Sequence, residues 1–164
     1  MQILRPEPLT QTAFAPFGQV LSVEGPPDKL INAGLCGRWH DRAGLDFGAG
    51  TGGRAGISIF LAEPRALPYD CDLLERHPEG SQAFIPMHAH PFLVIVAPDA
   101  GGVPGAPRAF LTDGAQGINL TRGTWHGVLT PLAAPGLFAV IDRIGPGANL
   151  QEYRLPAPFR VASG

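Results

Sequence analysis

Residues 83–97 read AFIPMHAHPFLVIVA, two short apolar runs separated by a polar segment that ends in a proline. Runs of about four to eight apolar and β-branched residues, bounded by turn-forming residues, are typical of β-strands. The stretch therefore predicts strands over 83–86 and 92–97, joined as a hairpin.

The same pattern recurs along the chain. The 22 glycines and 18 prolines are interleaved with short apolar runs, and no stretch keeps a helical period for three turns. Further strands are predicted at 18–23, 56–61, 109–112, 117–120 and 137–143. One short helix is predicted over 10–17, with Thr10 as its N-cap. Many short strands separated by turns favour an all-β sandwich, jelly roll or small barrel.

Composition excludes several classes of protein. The 164 residues fit one domain spanning 1–164. The net charge is −2, and the chain has no run of lysines or arginines of the kind that binds nucleic acid. The longest apolar runs are far shorter than the roughly 20 residues that span a membrane, and no signal peptide is recognisable. Cys36 and Cys71 fit free thiols. We expect a soluble cytoplasmic protein.

Residues 75–82 read ERHPEGSQ, in which Glu75, His77 and Gln82 are polar side chains able to bind metal. Alternation along a strand would put Glu75 and His77 on one face, and Gln82 would return after the turn at Pro78. The spacing matches the first motif of cupin barrels, with Glu75, His77 and Gln82 in the ligand positions. Two of the three residue types differ from that motif.

Residues 121–126, TRGTWH, retain part of the second cupin motif. Gly123 and His126 are present, whereas Thr121 replaces the usual proline. Sequential barrel strands bring distant residues to one mouth, so we predict that His126 joins His77 there. A lone histidine beside Trp125 would more simply be a packed core residue.

His88 and His90 form a second candidate pair. An HxH sequence on a strand puts both imidazoles on one face, which suits a metal. This pair, however, falls in the predicted hairpin turn, and no carboxylate follows at the distance of a ligand. We interpret it as part of an exposed turn.

The run over 75–87, ERHPEGSQAFIPM, is similar to the hallmark segment of the ureidoglycolate lyases. The resemblance continues through 14–21, 31–32, 38–41, 58–59, 108–117, Asn119, 125–126 and 141–143. It implies a cupin-type β-barrel, a homodimer, and an amidine-lyase type of carbon–nitrogen lyase. This enzyme would eliminate urea from (S)-ureidoglycolate to give glyoxylate during allantoin breakdown. The Gly-rich segment 44–53, His88-Ala89-His90 and Gly127 depart from the family pattern.

The implied elimination needs a base for the substrate hydroxyl and an acid for the departing urea nitrogen. Histidine serves in either direction near neutral pH, so His77 and His126 are the predicted catalytic pair, with the two roles left open between them. Gln82 and Asn119 are candidates for reading the urea amide.

The substrate carboxylate calls for an arginine, which donates two parallel hydrogen bonds. Arg143 is the first candidate, followed by Arg76, Arg108 and Arg122.

A divalent metal is an alternative centre for the same site. Glu75, His77, Gln82 and His126 would be its ligands and would suit nickel, manganese or zinc. The resemblance favours nickel, and a site without metal stays open.

Two other functions also stay open: a non-catalytic cupin that binds small carboxylates or sugars, and a metal-dependent dioxygenase or isomerase. The incomplete HxH and Glu ligand set argues against the last.

Overall fold

Strands dominate the described part of the chain, residues 1–48 and 52–163, in a computed structural model. The elements in chain order are β1 (Ile3–Leu4), β2 (Glu7–Pro8), α1 (Gln11–Phe14), β3 (Gly18–Leu21), β4 (Lys29–Ile31), β5 (Cys36–Arg38), β6 (Arg54–Ala62), β7 (Tyr69–Arg76), β8 (Gln82–Pro86), β9 (Phe92–Ala97), β10 (Arg108–Leu111), β11 (Gly117–Leu120), β12 (Trp125–His126), β13 (Thr130–Pro131), β14 (Gly136–Ile144) and β15 (Gln151–Val161). None of the helices in the described residues is long and apolar enough to cross a membrane.

Two sheets carry most of these strands. Sheet A has the order β1-β15-β7-β12-β9-β10-β2, with β13 also paired to β9, and sheet B has the order β3-β11-β8-β14-β6. Strands β4 and β5 form a separate two-stranded sheet. Between sheets A and B lies an apolar core that includes Phe14, Phe84, Phe110 and Phe138, each at most 5% exposed.

Sheet A is strongly curled. Its edge strands β1 and β2 are separated in the chain only by Arg5 and Pro6, and each pairs in parallel with its neighbour. Three extended residues span at most about 10 Å, whereas a flat sheet of this many strands would hold its edges about 30 Å apart. The two edges must therefore approach each other, as in a cupin-type jelly-roll barrel. The all-β prediction is confirmed.

Most predicted elements are present. Strands β9 and β11 match the predicted bounds, and five other predicted strands differ at their ends by one to a few residues. Thr10 caps α1 by accepting a hydrogen bond from the Ala13 N–H at 3.2 Å, although the helix ends at Phe14 and not at residue 17. The long strands β7 and β15 were not predicted.

The predicted hairpin between β8 and β9 is wrong. Strand β8 pairs with β11 and β14 in sheet B, whereas β9 pairs with β10, β12 and β13 in sheet A. All six residues of β9 are buried. A continuous apolar run is stable where both faces of the strand are covered. Strand β9 meets this need because Phe92, Val94 and Val96 pack in one apolar cluster and Leu93, Ile95 and Ala97 pack in another.

Candidate active site

Glu75, His77 and His126 come together on the face of sheet A that points to sheet B. Glu75 lies near the end of β7, His77 follows that strand directly, and His126 in β12 pairs with Glu75 across the ladder. One potential ligand atom from each residue lies within 4.8 Å of the other two. The described residues contain one such group of three or more histidines, cysteines or carboxylates, and it is this one.

The two imidazoles present the same ring nitrogen to the site. Nδ1 of His77 lies 2.7 Å from the carbonyl oxygen of Asn149, and Nδ1 of His126 lies 2.9 Å from that of Gly127. Because a carbonyl only accepts, each Nδ1 carries the hydrogen and each Nε2 keeps its lone pair. Both Nε2 atoms are buried, without a hydrogen-bond partner among the described residues.

Burial controls the charge of these groups. His126 is 4% exposed, and burial, with the nearby charge of His77, lowers its pKa from 6.5 to about 4. Burial also raises the pKa of the Glu75 carboxyl, an effect that His77 partly opposes. The site therefore holds His126 as a neutral imidazole, next to a carboxyl that gains protons more readily than usual.

Gln82 faces the same space from sheet B. It is 5% exposed, and it lies two positions from Phe84, whose ring centroid is 6.5 Å from that of His126. Its Nε2 donates to Oδ2 of Asp142 at 3.2 Å, and its Oε1 is buried with no partner in the described part of the chain. Asp142 thus orients the amide. In the sequence, Asp142 stands out only as part of the resembling run 141–143.

Asn119 lies on the other face of sheet B from Gln82. In the ladder Asn119 pairs with Ala83 while Leu120 pairs with Gln82, so alternation directs the Asn119 side chain away from the site. Its Nδ2 donates to Oε1 of Gln19 at 2.8 Å and to the carbonyl of Gly44 at 3.2 Å. Asn119 and Gln82 could therefore not contact one urea amide from the same side, because their side chains lie on opposite faces of sheet B.

Arg143, the first candidate for binding the substrate carboxylate, is engaged elsewhere. Its side chain is 1% exposed, and its Nη1 lies 3.1 Å from Oε2 of Glu79. The same nitrogen donates to the carbonyl of Pro146 at 2.9 Å. Arg143 therefore forms a buried ion pair within the fold.

The other candidate arginines also have acidic partners. Arg76 is next to Glu75 in β7 and so points to the opposite face, where its guanidinium lies 4.5 Å from the Trp125 ring centre and donates to Asp99 at 2.8 Å. Arg108 pairs with Glu7, and Arg122 pairs with Asp46. A sequence does not reveal which carboxylate will neutralise an arginine, and each of these three guanidinium groups is paired with a carboxylate of the chain itself.

His88 and His90 lie apart from the group of three, in the segment between β8 and β9. Their ring centroids are 5.7 Å apart, and the His90 N–H donates to Nδ1 of His88 at 3.1 Å. The His88 ring also packs edge-on against Phe138. Both histidines are half-buried, so the turn is less exposed than expected.

Comparison with known proteins agrees with this arrangement. A family model described as ureidoglycolate lyase matches residues 1–162. The chain belongs to the ureidoglycolate lyase family. The ureidoglycolate lyase of Rhodobacter capsulatus is 64% identical, over 98% of this chain and 99% of the relative. Those of Brucella melitensis and Chelativorans are 51% and 48% identical, over 93% and 94% of this chain and 90% and 93% of the relatives. The resemblance to ureidoglycolate lyases is confirmed.

Proposed function

We propose that this chain is a ureidoglycolate lyase, an amidine-lyase type of carbon–nitrogen lyase that releases urea from (S)-ureidoglycolate and leaves glyoxylate. Family membership over residues 1–162 carries the proposal, and the convergence of Glu75, His77 and His126 supports it. As an extension of the family assignment, we assign the reaction to allantoin breakdown in the cytoplasm.

The reaction breaks one carbon–nitrogen bond and moves one proton. The substrate hydroxyl loses its proton, and the O–H electron pair forms the second bond of the glyoxylate carbonyl. The C–N electron pair leaves with the urea nitrogen, which takes up a proton. Some group at the site must accept and return that proton.

Glu75 suits this proton transfer better than His126 does. Burial raises the pKa of its carboxyl, so Glu75 holds a proton more readily than an exposed carboxylate. His126, with a pKa of about 4, is protonated in only about one molecule in a thousand at pH 7. In a site without metal we therefore propose Glu75 for the proton transfer beside the predicted pair of His77 and His126; with a metal bound, its deprotonated carboxylate would be a ligand instead.

The donors of this site fit a divalent metal ion. Two Nε2 lone pairs and the Gln82 Oε1 are buried without partners among the described residues, a condition that is costly unless something binds them. We propose Glu75, His77, His126 and Gln82 as ligands for nickel, manganese or zinc, with nickel favoured by the family resemblance. A bound ion would supply Lewis-acid chemistry at the substrate hydroxyl or carboxylate.

A homodimer through sheet B is also part of the proposal. The outer face of β6 exposes Ile57, Ile59 and Leu61 by 74%, 60% and 71%, and neighbouring Ile85 and Met87 are 39% and 52% exposed. Contiguous apolar patches of this kind mark interaction surfaces on soluble proteins. A second copy of the chain, packed with the same face, would cover this patch.

Release of urea and glyoxylate from racemic ureidoglycolate tests the function. The assay is run on purified chain as isolated, after chelation, and after adding back nickel, manganese or zinc. We expect both products without ammonia, loss of turnover on chelation, and recovery with one of the metals. His77→Ala and His126→Ala should each lower turnover at least about 100-fold, whereas His40→Ala, at an exposed position, should not.

Absence of both products under every condition would contradict the lyase proposal. Calorimetric binding of glyoxylate without turnover would then support the non-catalytic cupin that binds small carboxylates or sugars. Full turnover after complete chelation would retain the lyase but exclude the metal.

A further inference from the structure

The loop between β14 and β15, residues 145–150, contacts the segment that carries His77. The carbonyl oxygen of Asn149 accepts a hydrogen bond from Nδ1 of His77 at 2.7 Å. The side-chain Oδ1 of the same residue accepts one from the backbone N–H of Glu79 at 2.8 Å. Asn149 therefore binds the segment 77–79 through two hydrogen bonds, one to its backbone carbonyl and one to its side chain.

A second set of contacts fixes the other end of this loop. Arg143 ties the carbonyl of Pro146 to the carboxylate of Glu79, at 2.9 and 3.1 Å. Gly147 has a φ of +95°, and a Cβ placed there would lie 2.8 Å from Oε2 of Glu79. The loop is thus held closely against Glu79 at two points, on either side of Gly147.

The two histidines differ in how their ring hydrogens are held. His126 donates to the carbonyl of Gly127, its own neighbour in the chain, so that contact is local. His77 donates to a residue 72 positions away. The orientation of His77 consequently depends on whether the loop 145–150 keeps its place.

We propose that Asn149 is a positioning residue that fixes the tautomer and orientation of His77. The bond from its Oδ1 to Glu79 holds its carbonyl opposite Nδ1 of His77, which leaves the Nε2 lone pair facing the site. Groups that hold the second ring nitrogen of a metal-binding histidine commonly set the properties of such a centre. The inference rests on the proposed function in taking His77 as a ligand of that site.

The test compares Asn149→Ala, Asn149→Asp and Leu150→Ala. Asn149→Ala removes the side-chain oxygen that accepts from the Glu79 N–H, whereas Asn149→Asp keeps an oxygen at that position. Leu150→Ala is the control, because it changes an exposed side chain of the same loop. Long-range ¹⁵N–¹H spectra of the full chain, as purified and after chelation, report which nitrogen of His77 carries the hydrogen. Signals missing from His77→Gln identify the ring.

In the unmodified chain we expect the hydrogen of His77 on Nδ1. Asn149→Ala should give a mixture of tautomers and about a 10- to 100-fold loss of zinc affinity and of turnover. Asn149→Asp should restore the tautomer and most of the affinity, and Leu150→Ala should behave as the unmodified chain.

A hydrogen on Nε2 of His77 in the unmodified chain would overturn the inference, even if Asn149→Ala failed to fold. A folded Asn149→Ala variant that had lost zinc affinity but kept the hydrogen of His77 on Nδ1 would also overturn the inference. In that case the Asn149 side chain would contribute only to stability and would not set the tautomer. The spectra need no substrate. A chain with the expected tautomers but no release of urea would refute the proposed function and leave this inference standing.

Discussion

Acid should destabilise the folded chain through His126, and replacing His126 should remove that part of the effect. Its pKa is lowered from 6.5 to about 4 by burial and by the charge of His77. Between these two pH values the unfolded chain binds more protons than the folded chain, so the free energy of unfolding falls as the pH falls. The contribution is fully present above pH 6.5 and is lost as the pH approaches 4.

The size of the effect follows from the two pKa values. From pH 7 to pH 5 the free energy of unfolding should fall by about 2 kcal/mol on account of His126, and by about 3 kcal/mol at pH 4. A loss of this size is large against the total stability of about 5–15 kcal/mol that is usual for a domain.

Urea unfolding followed by tryptophan fluorescence, at pH 7 and pH 5 with a chelator present, measures this loss. The unmodified chain is compared with His126→Gln and with His40→Gln, which alters an exposed histidine. We expect His126→Gln to lose about 2 kcal/mol less than the other two proteins between the two pH values. Equal losses in all three would refute the assignment of a buried, neutral His126.

Two further changes test the core and the proposed dimer. Phe110→Ala, at a fully buried ring between the sheets, should lower the free energy of unfolding by about 3–5 kcal/mol, whereas Ile3→Ala at an exposed position should lower it far less. Ile59→Asp, on the exposed face of β6, should halve the mass measured by light scattering while Lys29→Asp leaves it unchanged. A Phe110→Ala loss below about 1 kcal/mol, or an unchanged mass for Ile59→Asp, would contradict these expectations.

Most of the fold was predictable because short apolar runs bounded by Gly and Pro indicate strands from the local sequence alone. Strand β9 shows this best, since every residue in it is apolar and buried. Strand β7 was missed because Asp70 and Asp72 are of a type depleted in strands, although their alternation with Tyr69, Cys71 and Leu73 has the period of a half-buried strand. Strand β15 contains Pro156 and Pro158 within an irregular stretch of its ladder with β7, and proline normally argues against a strand.

The site was predictable where spacing along one strand was enough. Glu75 and His77 are two positions apart, and His126 was found through a second motif. Asn119 and Arg76 could not be placed, because a shift of one residue in a strand moves a side chain to the opposite face. Asn149 gave no signal, since it meets His77 through a backbone carbonyl, a group that every residue has.

Strands β1 and β2 are the two edge strands of sheet A, paired with β15 and β10. These pairings determine when sheet A can be completed during synthesis on the ribosome. Strand β1 is synthesised before every other element named here, whereas its ladder partner β15 is synthesised after all of them. Contacts between residues this distant in sequence form slowly, and an unpaired sheet edge is open to association with other chains in the meantime. The edge strands of sheet B, β3 and β6, both lie in the first half of the chain. Strand β6 pairs with β14, however, which is synthesised much later. Sheet A lacks β15 and sheet B lacks β14 until the last third of the chain has been synthesised, so strand edges in both sheets stay unpaired until then.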